Sequence, residues 1–421
     1  MASLLLALSL SFALAEGAGA QPAVEATLLD GAPVRGRLAS WRGEQLELQP
    51  ESGPPRQIHR DQLLGVTFSE RAGAAPQSPA EGSLVVELID GSRLAAGAFT
   101  VAGGRASIAT PYAAEPWQAP TSHIRRVDLA APTEAATAAW RRATERELAG
   151  DLVLVTKANG GQIDYLSGVV GDVTDAEVHF DWDGQKVAIK RGRVAAIGFH
   201  QAGAQELPEP AARLALRDGS IVAARSLALQ DGVLEVSTPT GARLALPLAE
   251  VIHADYSAGK LAYLGDMQPA SVAWTPRLAL PSAAALVAGF GAPRSNASFS
   301  GGQLSLAWPD ASASQGRTVR NYAKGLALRS RTVAAYRVPA GMRRFAATAG
   351  IDPQTADQGS VQLEIRADDR VLWEGEVDGR QPPVELSLDL GGARRLELRV
   401  DYGRNLDYGD RLHLAEARVT K

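Results

Sequence analysis

The chain contains no cysteine, which excludes a disulfide framework, a thiolate metal site and a cysteine-linked lipid anchor. The chain also has no strong excess of positive or negative charge, because 43 basic and 47 acidic residues give a formal net charge of −4. The sequence therefore offers no overall basic field that would attract nucleic acid or anionic lipid. With 421 residues, the chain is long enough to be stabilised by its hydrophobic core instead of by cross-links.

Long apolar runs are also scarce. The longest near the N-terminus, Leu4 to Ala15, has the length of a signal-peptide core and is too short to span a bilayer. Small-residue cleavage sites occur at 13–15 and 18–20, so residues 1–20 predict a signal peptide and an exported protein, periplasmic or extracellular. The alternative is a buried apolar helix. No later segment reaches about 18 uninterrupted apolar residues, so we expect no membrane span in the mature chain.

Catalytic motifs are absent from the sequence. The six histidines are dispersed, and there is no His-Glu-x-x-His, no Gly-x-Ser-x-Gly and no Walker loop. We therefore predict that the protein is not an enzyme.

The first 257 residues repeat one pattern with a period of roughly 60 to 70 residues. Alternating apolar runs flank an Asp-Gly turn at Gly31, Gly91 and Gly219, and a fourth copy has Asn-Gly-Gly at 159–161. Asp-Gly supplies the positive φ angles that a tight hairpin needs. Five short strands per copy predict small barrels, and the order strand, turn, strand, turn, strand resembles that of Sm-like barrels. The predicted repeats cover residues 21–71, 83–130, 151–200 and 212–257.

Segments rich in alanine, glycine and proline at 72–82 and 201–211 are predicted linkers. Residues 131–150 predict one linking helix that starts after Pro132 and Thr133 and ends near Gly150. We expect Trp140 to pack this helix against a barrel.

Residues 261–421 change to regular half-buried strands. Alternation places apolar residues on one face in the segments 361–365, 384–390 and 396–400, and Gly391-Gly392 is predicted to join the last two strands as a hairpin. Such strands predict an all-β fold with a β-sandwich of two packed sheets.

This region resembles the NPCBM module, a carbohydrate-binding module found with glycoside hydrolase family 98 and related enzymes. The shared landmarks are Lys-Gly-Leu at 324–326, Gly-x-Asp at 350–352, Gly-Ser-Val at 359–361 and Glu-Ala-Arg at 416–418. The resemblance implies a jelly-roll of the galactose-binding-like type that recognises sugar without catalysis, through loops at one rim.

The sequence departs from the family at two places. Arg329 stands where family members carry a histidine, and His413-Leu414 stand where they carry Asp-Trp. An arginine can hold a carboxylate or a sulfate through two hydrogen bonds, so it would suit an acidic glycan better than a neutral one.

Sugar binding needs an aromatic face and planar polar groups, and Asp401–Arg411 offers both. The predicted ligand-binding residues are Arg329, Trp373, Tyr402, Arg404, Asn405, Asp407 and Tyr408. The same loop suggests a weaker calcium hypothesis with Asp401, Asp407 and Asp410 as ligands, and no other cofactor is expected. The structural alternatives are a surface loop whose tyrosines cap the sheet and a core position for Trp373.

The sequence therefore predicts a non-catalytic carbohydrate-binding protein of the cell envelope or exterior, with carbohydrate as its partner and no nucleic-acid partner. The alternative is a structural or interaction protein that self-associates through its repeats and whose sandwich has lost its sugar site. An enzyme of unrecognised type is a third interpretation.

Overall fold

The computed structural model describes residues 21–68, 83–113, 115–131, 133–145, 150–157, 162–201, 203, 206–277, 291–313 and 316–421. The chain divides into two compact units between Tyr256 and Ser257. Within the described ranges, β-strands dominate both units and one α-helix is present, so the predicted all-β class is confirmed. None of the helices in these ranges combines the length and the apolar character that a membrane crossing requires. The predicted signal peptide lies outside the described residues.

The N-terminal unit contains four repeats, here called repeats 1 to 4. Repeat 1 comprises β1 (Ala23–Leu28), β2 (Pro33–Arg42), β3 (Gln45–Gln49), β4 (Arg56–His59) and β5 (Leu63–Phe68). Repeat 2 comprises β6 (Leu84–Leu88), β7 (Arg93–Ala96), β8 (Ala98–Ala102), β9 (Arg105–Ala109), β10 (Trp117–Pro120) and β11 (Ile124–Asp128). Repeat 3 comprises β12 (Asp151–Thr156), β13 (Ile163–Val173), β14 (Glu177–Trp182), β15 (Gln185–Lys190) and β16 (Val194–Gly198). Repeat 4 comprises β17 (Ala212–Leu216), β18 (Ile221–Ala224), β19 (Ser226–Gln230), β20 (Val233–Ser237), β21 (Arg243–Pro247) and β22 (Val251–Asp255).

Each repeat is an antiparallel ladder in which the first strand pairs with both the second and the last. The Asp-Gly turns form as predicted, with φ angles of 86° at Gly31, 83° at Gly91 and 83° at Gly219. The turn at 159–161 lies outside the described residues. A single 3-10 turn precedes the last strand of every repeat, at Arg60–Gln62, Thr121–His123, Arg191–Arg193 and Leu248–Glu250.

The predicted Sm-like barrels are not confirmed. In the described part of each repeat the ladder stays open, because the last strand pairs with the last strand of another repeat and not with its own preceding strand. The two such pairs are β5 with β22 and β11 with β16. Further pairs join β2 to β19, β8 to β13 and β7 to β18. All four repeats therefore share one 22-stranded network and one hydrophobic core.

Repeats 2 and 4 meet through two reciprocal hydrogen bonds. Ser92 and Ser220 each follow an Asp-Gly turn, and both are buried. The Ala223 N–H donates to Ser92 Oγ at 2.9 Å, and the Ala95 N–H donates to Ser220 Oγ at 2.9 Å. Each hydroxyl thus satisfies a buried backbone donor of the other repeat, which would otherwise be costly.

The linking helix α1 (Glu134–Thr144) starts where the sequence predicts, because Thr133 Oγ1 accepts a hydrogen bond from the Ala136 N–H. Trp140 packs the helix against repeat 3, as expected. A Cβ atom on Gly198 would lie 2.7 Å from the Trp140 ring, so this glycine makes room for the indole.

The C-terminal unit is a sandwich of two sheets. Its strands are β23 (Leu261–Tyr263), β24 (Ser271–Trp274), β25 (Arg294–Ser295), β26 (Leu304–Pro309), β27 (Arg317–Tyr322), β28 (Gly325–Arg329), β29 (Thr332–Arg337), β30 (Arg344–Ile351), β31 (Ser360–Ala367), β32 (Arg370–Asp378), β33 (Val384–Asp389), β34 (Arg395–Tyr402) and β35 (Arg411–Thr420). One sheet has the order β25-β28-β35-β30-β33, with β23 also on β35, and the other has the order β24-β29-β34-β31-β32. A 3-10 turn, Leu264–Asp266, follows β23, and β26 and β27 form a separate hairpin.

The predicted alternation in β31 is confirmed, since Val361, Leu363 and Ile365 are all fully buried, and the predicted apolar residues of β34, at 396, 398 and 400, are buried as well. The predicted hairpin between β33 and β34 is wrong. Strand β33 pairs with β30, whereas β34 pairs with β29 and β31 in the other sheet. Gly391 and Gly392 have the predicted positive φ angles, but their turn carries the chain from one sheet to the other. Alternation alone does not distinguish these two arrangements, because both strands bury one face in the same core.

The reciprocal serine bonds generate a stability prediction. Ser92→Ala and Ser220→Ala should each lower the free energy of unfolding of the N-terminal unit by about 1–3 kcal/mol, because each leaves a buried N–H without a partner. Chemical denaturation of the full chain measures the loss. Ser107→Ala is the control, since Ser107 accepts only an exposed bond from Gln118 and should cost under about 0.5 kcal/mol. Equal effects of all three substitutions would contradict the assignment.

Candidate functional site

The loop between β34 and β35 is held in one conformation by buried polar contacts. Asp410 is buried, and its Oδ1 accepts a hydrogen bond from the Ser360 N–H at 3.2 Å. The Thr355 hydroxyl donates to the Gly409 carbonyl at 2.8 Å. Leu406 and Gly409 adopt left-handed backbone conformations, with φ angles of 63° and 78°. The loop is therefore tied to the start of β31 before any ligand binds.

A small pocket lies beside this loop on the rim of the sandwich. Its volume is about 60 Å³. It is lined by Trp274, Thr275, Arg277, Arg329, Ser330, Tyr402, Asp407 and Asp410. Pockets for drug-sized ligands have volumes of about 300–1,000 Å³, so this pocket would take one substituent of a larger molecule lying across the rim.

The pocket wall combines charged and aromatic groups. Arg277 Nη1 donates to Asp407 Oδ1 at 3.2 Å, and both side chains are about half exposed. Outside the wall itself, the guanidinium of Arg331 lies 5.6 Å from the centre of the Tyr402 ring. Such a wall offers an aromatic face, planar donors and carboxylate acceptors within one small area.

Asp410 has an unusual acidity for an aspartate. Burial raises its pKa to about 6, with a smaller contribution from the Asp407 charge, against the opposing hydrogen bonds of Ser360 and Ser330. Its second oxygen, Oδ2, is buried without a hydrogen bond among the described residues. Asp410 thus takes up a proton more readily than an exposed carboxyl does.

The structure brings together three of the predicted ligand-binding residues, Arg329, Tyr402 and Asp407, on the pocket wall. It also places the weaker calcium candidate Asp410 there. Two residues that the sequence analysis missed, Trp274 and Arg277, complete the wall. Arg277 reaches Asp407 over a sequence separation of 130 residues, and no local pattern indicates that contact.

The other predicted residues lie elsewhere. Arg404 forms an ion pair with Asp378 at 2.7 Å, and Asn405 donates to the Gln358 carbonyl at 2.6 Å. Tyr408 is exposed and does not line the pocket. Trp373 is half-buried and packs against the sandwich core, which agrees with its structural alternative.

The calcium hypothesis is not supported by the geometry. Asp410 faces the Ser360 N–H, Asp407 pairs with Arg277, and Asp401 accepts from the Tyr402 N–H at 2.8 Å. The three carboxylates are thus engaged by different partners. Throughout the described ranges, no group of three or more His, Cys, Asp or Glu side chains is arranged to hold a metal ion.

The second departure from the family pattern lies in the interior. His413 and Leu414 are both fully buried. The ring Nδ1 of His413 lies 2.9 Å from the Ser305 carbonyl oxygen, and burial lowers the pKa of this histidine. This departure therefore changes core packing and removes no group from the pocket wall.

Comparison with known proteins identifies the C-terminal unit. Residues 276–420 match the family model of the NPCBM/NEW2 domain. The resemblance to the NPCBM module seen in the sequence is thereby confirmed for this part of the chain. No curated protein matches the chain.

Solved structures that resemble the chain include CBM51 modules. One contains the CBM51-2 and INT domains of Clostridium perfringens ZmpB, with 20% identity, 47% of this chain and 37% of that chain covered, and a TM-score of 0.32. Another is the CBM51 of Clostridium perfringens GH95 in complex with methyl-galactose, with 18% identity, 38% and 99% covered, and a TM-score of 0.32. A third holds the tandem CBM51 modules of the Streptococcus pneumoniae family 98 glycoside hydrolase Sp3GH98, with 10% identity, 94% and 88% covered, and a TM-score of 0.31.

The acidity of Asp410 predicts a pH dependence. Because its pKa is about 6 in the folded protein and 3.8 as the ordinary value, the folded state binds the proton more tightly. The stability contributed by protonated Asp410 is complete below about pH 3.8 and is lost as the pH rises through about 6. Asp410→Asn should remove this pH-dependent loss of stability, because asparagine does not titrate.

Thermal unfolding of the C-terminal unit between about pH 4 and about pH 7 measures the effect. Relative to Asp410→Asn, the unmodified chain should lose stability as the pH rises. Asp357→Asn, which changes an exposed carboxylate, is the control and should keep the pH profile of the unmodified chain. Parallel profiles for the unmodified chain and Asp410→Asn would contradict the assignment.

Proposed function

We propose that this protein binds carbohydrate without catalysis, through the rim pocket of its C-terminal sandwich. The observation that carries the proposal is the match of residues 276–420 to a carbohydrate-binding module. That match covers the unit in which the loop before β35 and its pocket lie.

The pocket chemistry supports sugar recognition. The rings of Trp274 and Tyr402 provide apolar faces for the C–H side of a pyranose. Asp407 and Arg277 provide an acceptor and donors for hydroxyl groups, and Ser330 can do both. Because the pocket is small, one sugar substituent would enter it while the ring lies against the tyrosine.

The predicted signal peptide at residues 1–20 supports a place for this binding at the cell envelope or outside the cell. In this proposal the four repeats serve as a non-catalytic body that carries the module.

A glycan array probed with the full chain, followed by calorimetry on the strongest hits, tests the proposal. Tyr402→Ala and Asp407→Ala should each weaken binding at least about ten-fold, because each removes one wall of the pocket. Trp182→Ala removes an exposed tryptophan of repeat 3 and should leave the affinity unchanged. The same array with and without calcium should give the same hits.

Absence of binding by a folded chain would contradict the proposal. Equal losses in Trp182→Ala and Tyr402→Ala would do the same, because the effect would not then be specific to the pocket.

A second candidate function, assembly through the repeats, is favoured by one observation. Among the described residues, the strands β4, β10, β15 and β21 each pair on one side, and an open strand edge is a template for pairing with another chain. Sedimentation velocity over a range of protein concentrations tests this candidate. Ordered oligomers with no glycan binding would favour it, and a monomer at every concentration would exclude it.

A further inference from the structure

Three arginines lie together on one face of the sheet beside the pocket. Arg329 on β28 stands directly opposite Arg411 on β35. Arg294 on β25 pairs with Ala327, two residues before Arg329, and therefore projects from the same face. We call Arg294, Arg329 and Arg411 the arginine cluster. Like charges directly opposite one another on adjacent strands are destabilising, so the cluster has an energetic cost.

The electrostatics agree with this geometry. The pKa of Arg329 is lowered by burial and by the positive charges of Arg411 and Arg294. The carboxylate of Asp352 forms a long ion pair with Arg411, with 3.9 Å between Oδ2 and Nη1, which is too far for a hydrogen bond. An anion placed over the cluster would relieve this repulsion.

Another cross-strand arginine pair in the same unit has a different charge environment. Arg337 on β29 stands opposite Arg395 on β34. Here Glu397 accepts from Arg395 at 2.6 Å and also bonds Arg399. In that pair a carboxylate of the protein lies at hydrogen-bonding distance, whereas the ion pair between Asp352 and Arg411 in the arginine cluster is 3.9 Å long.

The arginine cluster is positioned to contact a ligand bound in the pocket. Arg329 belongs both to the cluster and to the pocket wall. Its guanidinium lies 4.4 Å from the centre of the Phe299 ring, which holds it in place by a cation–π contact. A group that extends from the pocket over β28 would therefore meet a positioned, positively charged surface.

We propose that the glycan recognised at the rim pocket is anionic, and that its carboxylate or sulfate binds the arginine cluster. This inference rests on the proposed glycan binding and names the class of sugar. Arginine suits both groups, because its planar guanidinium can donate two parallel hydrogen bonds to either.

The test compares matched ligands that differ only at the anionic group, which is esterified or removed in the neutral form. The full chain is titrated with oligogalacturonate and its methyl ester, and with a sulfated galactan and its desulfated form. We expect one charged ligand to bind at least about ten-fold more tightly than its neutral counterpart. Which of the two charged ligands shows this preference identifies the recognised group as a carboxylate or a sulfate. The preference should shrink as the salt concentration rises from about 50 to about 500 mM.

Variants assign the preference to the cluster. Arg329→Gln and Arg411→Gln should each abolish the preference for the charged form, whereas Arg337→Gln, from the other arginine pair, should retain it. Thermal unfolding confirms that each variant is folded. If Arg411→Gln is unstable because it loses the ion pair with Asp352, Arg329→Gln alone decides the outcome.

The results distinguish this inference from the proposed function. Equal binding of charged and neutral ligands that is lost in Tyr402→Ala would overturn the anionic class and leave glycan binding intact. A charge preference that persists in Arg329→Gln would overturn the role of the cluster. Failure to bind any ligand on the array would overturn both proposals.

Discussion

The candidate site depends on the burial of one carboxyl group, that of Asp410. Burying a charged group is costly unless hydrogen bonds compensate for the lost water. Here the Ser360 N–H supplies one such bond, and partial protonation lowers the remaining cost. Because Asp410 is the last residue of the loop, its bond to Ser360 anchors the end of the loop that carries Asp407. Asp410, just before β35, therefore contributes both to the pocket wall and to the anchoring of the loop.

The N-terminal unit depends on a different constraint: the backbone N–H and C=O groups at open strand edges need hydrogen-bond partners. Its repeats do not close on themselves, so their last strands pair between repeats. The serines after two of the Asp-Gly turns then bond the backbone of the opposite repeat. Repeat 1 has Ala32 at the corresponding position and lacks a hydroxyl for such a bond. The reciprocal serine bonds are therefore specific to repeats 2 and 4, whereas repeats 1 and 4 meet through strand pairs.

Local features of the fold could be predicted from the sequence. The Asp-Gly turns, the start of α1 at Thr133 and the buried alternation of β31 depend on residues close together in the chain. Pairings between distant segments could not be predicted in this way. The Ser92–Ala223 bond spans 131 residues, and the turn at Gly391-Gly392 is compatible with either a hairpin or a crossing between sheets.

The same limit applies to the candidate site. The loop Asp401–Arg411 was identifiable because aromatic and polar residues are concentrated there, but only the fold shows which of them reach the pocket. Arg404 and Asn405 have side chains suited to binding sugar hydroxyls. They do not line the pocket, because Arg404 pairs with Asp378 and Asn405 bonds the Gln358 carbonyl. Trp274 at the end of β24 and Arg277 three residues later also line the pocket, and no sequence pattern associates that segment with the loop.

The central claim is that glycan binds at this rim. A crystal structure of the full chain with a bound oligosaccharide tests it most directly. The account predicts sugar density against Tyr402 and Asp407, within hydrogen-bonding distance of the Asp407 carboxylate. Ordered sugar bound only to the repeats, with the rim pocket empty, would contradict it.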